Sequence, residues 1–217
     1  YNLNKGIVNT MLGVSTLLLS LTLLSGIFGN RLTYLAAYLP PQIPTYVDIK
    51  TFKRTPFFSD YLENDTFYDN IKFADIFELP HGLKGFFDFD EGMSYAKEVN
   101  KPVLLDFTGH GCVNCRDIEA RVWPDQRVRD ILNNDYVLIS LYVDDKTVLS
   151  EKNWYVSSYD GKVKKSIGRQ NSDFQISRFQ NNAQPYYVVI NPFSDQIISP
   201  PWGYELNIEK YINNLKK

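Results

Sequence analysis

The stretch that most constrains this chain is Lys101 to Val122, KPVLLDFTGHGCVNCRDIEARV. Val103 to Phe107 is an apolar run bounded by Pro102 and by Thr108-Gly109, the pattern of a strand covered on both faces. Asp106 does not belong in that run on hydrophobic grounds. Past the glycine-rich loop a helix is expected to open on Cys112-Val113-Asn114-Cys115. Cys112, Cys115 and Glu119 then fall at i, i+3 and i+7, on one stripe of that helix.

Two cysteines at this spacing in a first helical turn can bring their sulfurs to bonding distance with little distortion of the backbone. Cys112 stands at the helix N-terminus, where unpaired N–H groups and the helix dipole favour a thiolate. Gly109 and Gly111 keep bulk away from that sulfur. Cys115, one turn in, is expected to be less exposed, which gives one attacking and one resolving thiol. Zinc would need four ligands, and beyond these two cysteines the chain has only His81 and His110 as further soft donors. Attachment of a c-type haem would need histidine after Cys115, where Arg116 stands. Redox chemistry is the expectation, with no cofactor beyond the Cys112–Cys115 pair itself; an inert disulfide and metal binding are the alternatives. His110 reads as a loop residue near the site with no catalytic duty.

The segments LDFTGHGCVNCRDIEARVW, YVLISLYVDD and NAQPYYVVI resemble the thioredoxin superfamily. More narrowly they resemble the C-terminal periplasmic domain of the DsbD family of thiol:disulfide interchange proteins. The resemblance covers about Gly82 to the end. It implies an α/β thioredoxin-like fold, a central mixed sheet flanked by helices, with Cys112 and Cys115 catalytic. It also implies that acidic residues six before the first cysteine and four after the second, Asp106 and Glu119, modulate them. Pro185 matches the family's cis-proline, which opens a later strand and faces the active site. The departures are Gly111, where thioredoxins usually carry Trp, and Val113-Asn114 in place of Gly-Pro. The implied partners are a membrane-embedded cysteine pair that supplies electrons and periplasmic thiol–disulfide proteins that receive them, a role that includes cytochrome c biogenesis. The implied location is the bacterial inner membrane with the C-terminal domain in the periplasm.

No charge occurs from Gly6 to Asn30, and Ile7 to Phe28 is apolar over more than the roughly 20 residues needed to cross a bilayer. A transmembrane helix within residues 1–39 is expected, the last of a membrane domain, bracketed by Lys5 and Arg31. Its scattered Thr and Ser suggest a helix packed against others. Because the first residue is Tyr1, the sequence reads as a piece of a longer protein. Residues 40–82 are rich in aromatics, unlike a free tether, and read as an ordered extension lying against a domain.

The thioredoxin-like domain is assigned to 83–217, with an insertion at about 144–182. Expected elements are a strand over Gly85 to Phe89 and a helix capped by Asp90 that runs to about Val99. A helix follows over Asp125 to Asn133, then a strand over Tyr136 to Val143. A hairpin is expected around Asp160-Gly161, and a helix capped by Ser172 with Gln175 through Phe179. An antiparallel pair, Tyr186 to Ile190 with Gln196 to Ser199, precedes a last helix that buries Ile208, Tyr211, Ile212 and Leu215. At a net charge of −2 nothing suggests nucleic-acid binding.

The functional expectation is a dithiol reductase in which Asp106, its pKa raised by burial, shuttles a proton on Cys115, and Glu119 disfavours the thiolate. The blander readings are a backbone-satisfied Asp106, a solvated Glu119 and a merely structural Pro185. Two other functions stay open: a binding module with a non-cycling disulfide, and an oxidase or isomerase.

Overall fold

The computed structural model describes residues 3–27, 45–48, 53–56 and 70–216. Helix α1 spans Leu3–Ile27, and its segment Gly6–Leu24 is long and apolar enough to cross a membrane, with none of it buried. The hydroxyls along it bond backward to its own carbonyls: Thr10 to Gly6 at 2.8 Å, Thr16 to Leu12 at 2.9 Å and Thr22 to Leu19 at 2.7 Å. An apolar surrounding therefore leaves these groups satisfied. Strands β1 (Thr45–Asp48) and β2 (Lys53–Pro56) pair antiparallel. Phe28, the Leu39–Pro44 break and the aromatics Phe52, Phe57, Phe58, Tyr61, Phe67 and Tyr68 lie outside the described residues.

The domain alternates strand and helix: β3 (Gly85–Phe86), α2 (Phe89–Glu98), β4 (Val103–Thr108), α3 (Val113–Arg121), α4 (Gln126–Asn134) and β5 (Val137–Tyr142). Then come the hairpin β6 (Tyr155–Val156) and β7 (Val163–Lys164), α5 (Ile167–Phe179), β8 (Tyr186–Ile190) and α6 (Ile208–Leu215). The sheet order is β3-β5-β4-β8; the first three strands run parallel and β8 runs antiparallel to β4. All six residues of β4 and of β5 are buried, Asp106, Thr108 and Ser140 included, as in a sheet covered on both faces.

Strand alternation sorts the core into two layers. Val103, Leu105 and Phe107 point with Met93 and Ala96 into one cluster. Leu104 points into the other, with Ile118, Val122, Trp123 and Tyr211. Asp106 shares the parity of Leu104, so its carboxyl faces the α3 side.

Several expected boundaries shift. Helix α2 is capped by Asp88, whose carboxylate accepts from Glu91 N–H at 3.1 Å, rather than by Asp90, and β3 is correspondingly short. Helix α5 starts at Ile167 under Ser166, so Ser172 lies inside it. Gln175 there is fully buried and serves a loop instead of a cap. The segment after Asn191-Pro192 returns antiparallel beside β8 through two isolated bridges, Ile190–Ile197 and Tyr187–Trp202, with Ile198 N–H donating to Val189 O at 2.8 Å, so Gln196 to Ser199 pairs there without forming a continuous strand.

Residues 70–82 pack onto this body. Phe77 and Leu79 are buried, and the Phe77 ring stacks on Tyr142 at 4.5 Å between centroids. The backbone N–H of Lys72 donates to the Glu91 carboxylate at 3.1 Å.

Candidate functional site

Strand β4 delivers the chain to a loop at its C-terminal edge, and α3 leaves from that loop. Cys112 is the N-cap of α3; its Sγ accepts from the backbone N–H of Cys115 at 3.1 Å. Sulfur thus takes the place that Ser or Asp oxygen holds at other helix starts, satisfying one of the orphan donors. The two cysteines are joined, with a Cα–Cα separation of 5.3 Å. Cys112 is half-buried between exposed Gly111 and Val113, whereas Cys115 is only 2% exposed. A partner approaching from solvent meets Cys112 first.

On the α3 side of β4 lies a buried charged group. Asp106 is 2% exposed and accepts from Ser140 Oγ at 2.9 Å, its register neighbour on β5. Burial pushes its carboxyl up to about 6, against the pull of the Ser140 hydrogen bond and of the Arg116 guanidinium. Glu119 is buried as well, so it is not solvated. It pairs with Arg116 at 2.6 Å, and Arg116 also donates to Thr108 Oγ1 at 3.0 Å. Burial raises the Glu119 carboxyl, Arg116 opposes that rise, and the charge of Asp106 adds to it. Arg116 Nε has no hydrogen-bond partner among the described residues. Tyr142, sealed over the same group, has its hydroxyl pushed up to about 12 by burial. The chemistry available here is a half-exposed sulfur backed by a buried one, above carboxyls that hold and release protons near neutral pH.

Pro185 follows a cis peptide bond after Gln184. The register sets Tyr186 opposite Phe107, so Pro185 comes level with Thr108, at the edge where the cysteine loop departs. Buried Gln175 holds the preceding turn: it donates to Ala183 O at 2.9 Å and accepts from Gln184 Nε2 at 2.9 Å. The structure therefore gathers Cys112, Cys115, Asp106 and Glu119 on the α3 side and brings Pro185 to the same edge.

Other residues at the site carry no sequence signal of their own. Arg116 looks like an ordinary surface cation of an amphipathic helix; only its position beside the buried stripe of Cys115 and Glu119 hints otherwise. Asp144 accepts from the N–H groups of His110 and Gly111, and Asp145 accepts from His110 Nε2 at 3.0 Å. His81 Nε2 donates to the Glu119 carbonyl at 2.6 Å. His110 also lies against Tyr142, 4.7 Å between centroids, and Phe77, 5.9 Å.

Residues 85–192 match a protein-family model described as thioredoxin-like. No curated protein matches the chain. Among solved structures, a DsbH oxidoreductase aligns at 16% identity and a TM-score of 0.46, over 62% of this chain and 85% of its own. A thioredoxin from Thermus thermophilus aligns at 15% identity and 0.46, with the same coverage. The C-terminal domain of Neisseria meningitidis DsbD in its oxidised form aligns at 17% identity and 0.39, over 60% of this chain and 99% of its own. At such scores these likenesses assign neither function nor partner.

Proposed function

Residues 85–192 form a thioredoxin-like domain with a CxxC disulfide, and from that premise we propose that the protein is a membrane-anchored protein-disulfide reductase. In the reduced state the Cys112 thiolate attacks one sulfur of a partner disulfide. A mixed disulfide forms, and the partner's other sulfur leaves as a thiolate and takes a proton. Cys115 then gives up its proton, with Asp106 as the nearby buried acceptor, and attacks Cys112 Sγ. The Cys112–Cys115 bond closes and the partner's second thiol is released. Two electrons have moved to the partner. They are restored by a second dithiol, the membrane-embedded cysteine pair of the same or a neighbouring chain. The partners are periplasmic thiol–disulfide proteins, Pro185 offers backbone to the incoming segment, and α1 holds the domain at the bacterial inner membrane.

The observation that carries this reading is the asymmetry of the pair. Cys112 Sγ is half-exposed on a helix N-terminal N–H, and Cys115 is sealed one turn below it. That arrangement favours one thiolate and protects the resolving thiol until it is needed.

The test equilibrates the full chain in detergent against thiol–disulfide buffers of graded potential and reads the reduced fraction by alkylation. A value at or below the cytosolic glutathione range, roughly −220 to −260 mV, supports a reductase. A value near −120 mV, roughly that of a strong oxidant, would make it an oxidase. Failure of dithiothreitol to reduce the bond would leave a binding module.

A further inference from the structure

The loop that brings Cys112 into its helix is held by a residue from another element. Asp144, just past β5 at the head of the insertion, accepts from the His110 N–H through Oδ1 at 2.8 Å. Through Oδ2 it accepts from the Gly111 N–H, also at 2.8 Å. One carboxylate therefore takes two consecutive backbone donors, ending immediately before Cys112. Asp145 adds its bond to the His110 ring, and its backbone carbonyl accepts from Gly168 N–H at 3.1 Å, tying the arrangement to α5.

Gly109 makes the approach possible. A Cβ at that position would lie 2.9 Å from Asp144 Oδ2 and 3.0 Å from Asp144 Cγ. The backbone of Gly109 is not left-handed, so what a Cβ there would meet first is the Asp144 carboxylate, which would have to move aside.

We infer that Asp144 is a positioning residue for exchange at Cys112. It fixes Gly109-His110-Gly111 so that Cys112 enters α3 as its N-cap with Sγ on the Cys115 N–H. This rests on the thiol–disulfide reading above. Exchange needs the attacking sulfur aimed along the bond it breaks, and the N–H contact stabilises the thiolate that attacks. Asp144 also carries a negative charge, which by itself opposes the thiolate. Loss of charge and loss of alignment thus move Cys112 in opposite directions, and two variants separate them. Asp144→Asn removes the charge and one acceptor. Gly109→Ala keeps the charge and pushes the carboxylate off the loop.

The experiment reduces the full chain in detergent and follows its reaction with a small disulfide, 5,5′-dithiobis(2-nitrobenzoate), together with iodoacetamide alkylation against pH. Circular dichroism checks that each variant is folded. Both variants are expected to react roughly tenfold more slowly than wild type. In Gly109→Ala the alkylation profile of Cys112 moves to higher pH. A wild-type rate and profile in Gly109→Ala, or a faster Asp144→Asn, overturns the positioning role. If Gly109→Ala does not fold, Asp144→Asn decides: slower supports the role, unchanged or faster ends it. Wild-type protein that fails to exchange at all refutes the redox reading itself, a result distinct from variants that match an active wild type.

Discussion

Arg116 and Glu119 form an ion pair at 2.6 Å on one face of α3, and each side chain is more than nine-tenths shielded from water. Arg116 follows Cys115 directly, so this pair is part of the ground on which the resolving cysteine stands. Two charges taken out of water hold each other in place, and removal of one exposes the full cost of the other.

Arg116→Met is therefore expected to destabilise the fold by about 3–5 kcal/mol at pH 9, where Glu119 must either be buried as an unpaired charge or hold a proton that the unfolded chain has released. At pH 5 the loss is smaller, because Glu119 keeps its proton. The double variant Arg116→Met/Glu119→Gln should recover most of the pH 9 loss. Denaturant unfolding of the four proteins in a double-mutant cycle measures this. An equal loss at both pH values would contradict the pairing argument.

Asp106 gives a pH dependence of definite sign. Burial pushes its folded carboxyl up to about 6, above the ordinary carboxylate range, so between those values the folded state holds a proton that the unfolded chain has released. Stability from this group is complete below about pH 4 and is lost as pH rises to about 6. Asp106→Asn removes that loss. The variant should match wild type at pH 4 and exceed it at pH 8 by as much as about 3 kcal/mol, two pH units at about 1.4 kcal/mol each. It should also lower the thiol pKa values, read as thiolate absorbance against pH. A variant less stable than wild type at pH 8 would mean that the Ser140 bond to the carboxylate outweighs its burial.

The two cysteines should behave differently when trapped. Cys115→Ser keeps the exposed attacker and removes the resolver, so it should accumulate a mixed disulfide on non-reducing gels. Cys112→Ser leaves only a thiol that is 2% exposed in the oxidised fold, and it should trap little. Equal trapping by both variants would refute the division of labour.

Residues 70–82 change where the domain must begin. A fragment starting at residue 70 retains Phe77 and Leu79 and should be soluble and fully folded without detergent. One starting at residue 82 leaves a gap beside Tyr142 and Phe87, which Phe77 touches at 4.5 and 5.5 Å between centroids. Loss of a buried Phe costs about 3–5 kcal/mol, and the thermal midpoints of the two fragments should differ accordingly. Equal midpoints would show that this segment adds nothing.

The sheet and its helices were legible in the sequence because β4 and β5 are mostly apolar runs, interrupted at Asp106 and Ser140, and because α4 and α6 carry clear apolar stripes. Boundaries were less so. Asp88 and Asp90 both suit a cap, and only tertiary packing chooses between them. Ser172 with Gln175 matches a capping box, which is a local pattern, whereas burial of Ile167 and Gly168, the latter bonded to Asp145 O, sets the helix start upstream at Ser166. At the site, the cysteines, Asp106 and Pro185 could be picked out because each is out of place or matches a family motif. Arg116 and Asp144 could not. Asp144 matters through Gly111, 33 residues away, and Arg116 through Thr108, 8 residues away, and through Glu119, whose i,i+3 spacing is equally common on solvated helix faces.

The placement of residues 70–77 has a mechanical consequence. The parallel strands β3 and β4 end at the same edge, where α2 and α3 begin, and this segment meets the domain there, through Glu91 at one point and His110 at another. Whatever precedes residue 70 thus holds the domain by its reactive end. Swinging about such an attachment carries the far end of the body through a wide arc and Cys112 through a narrow one.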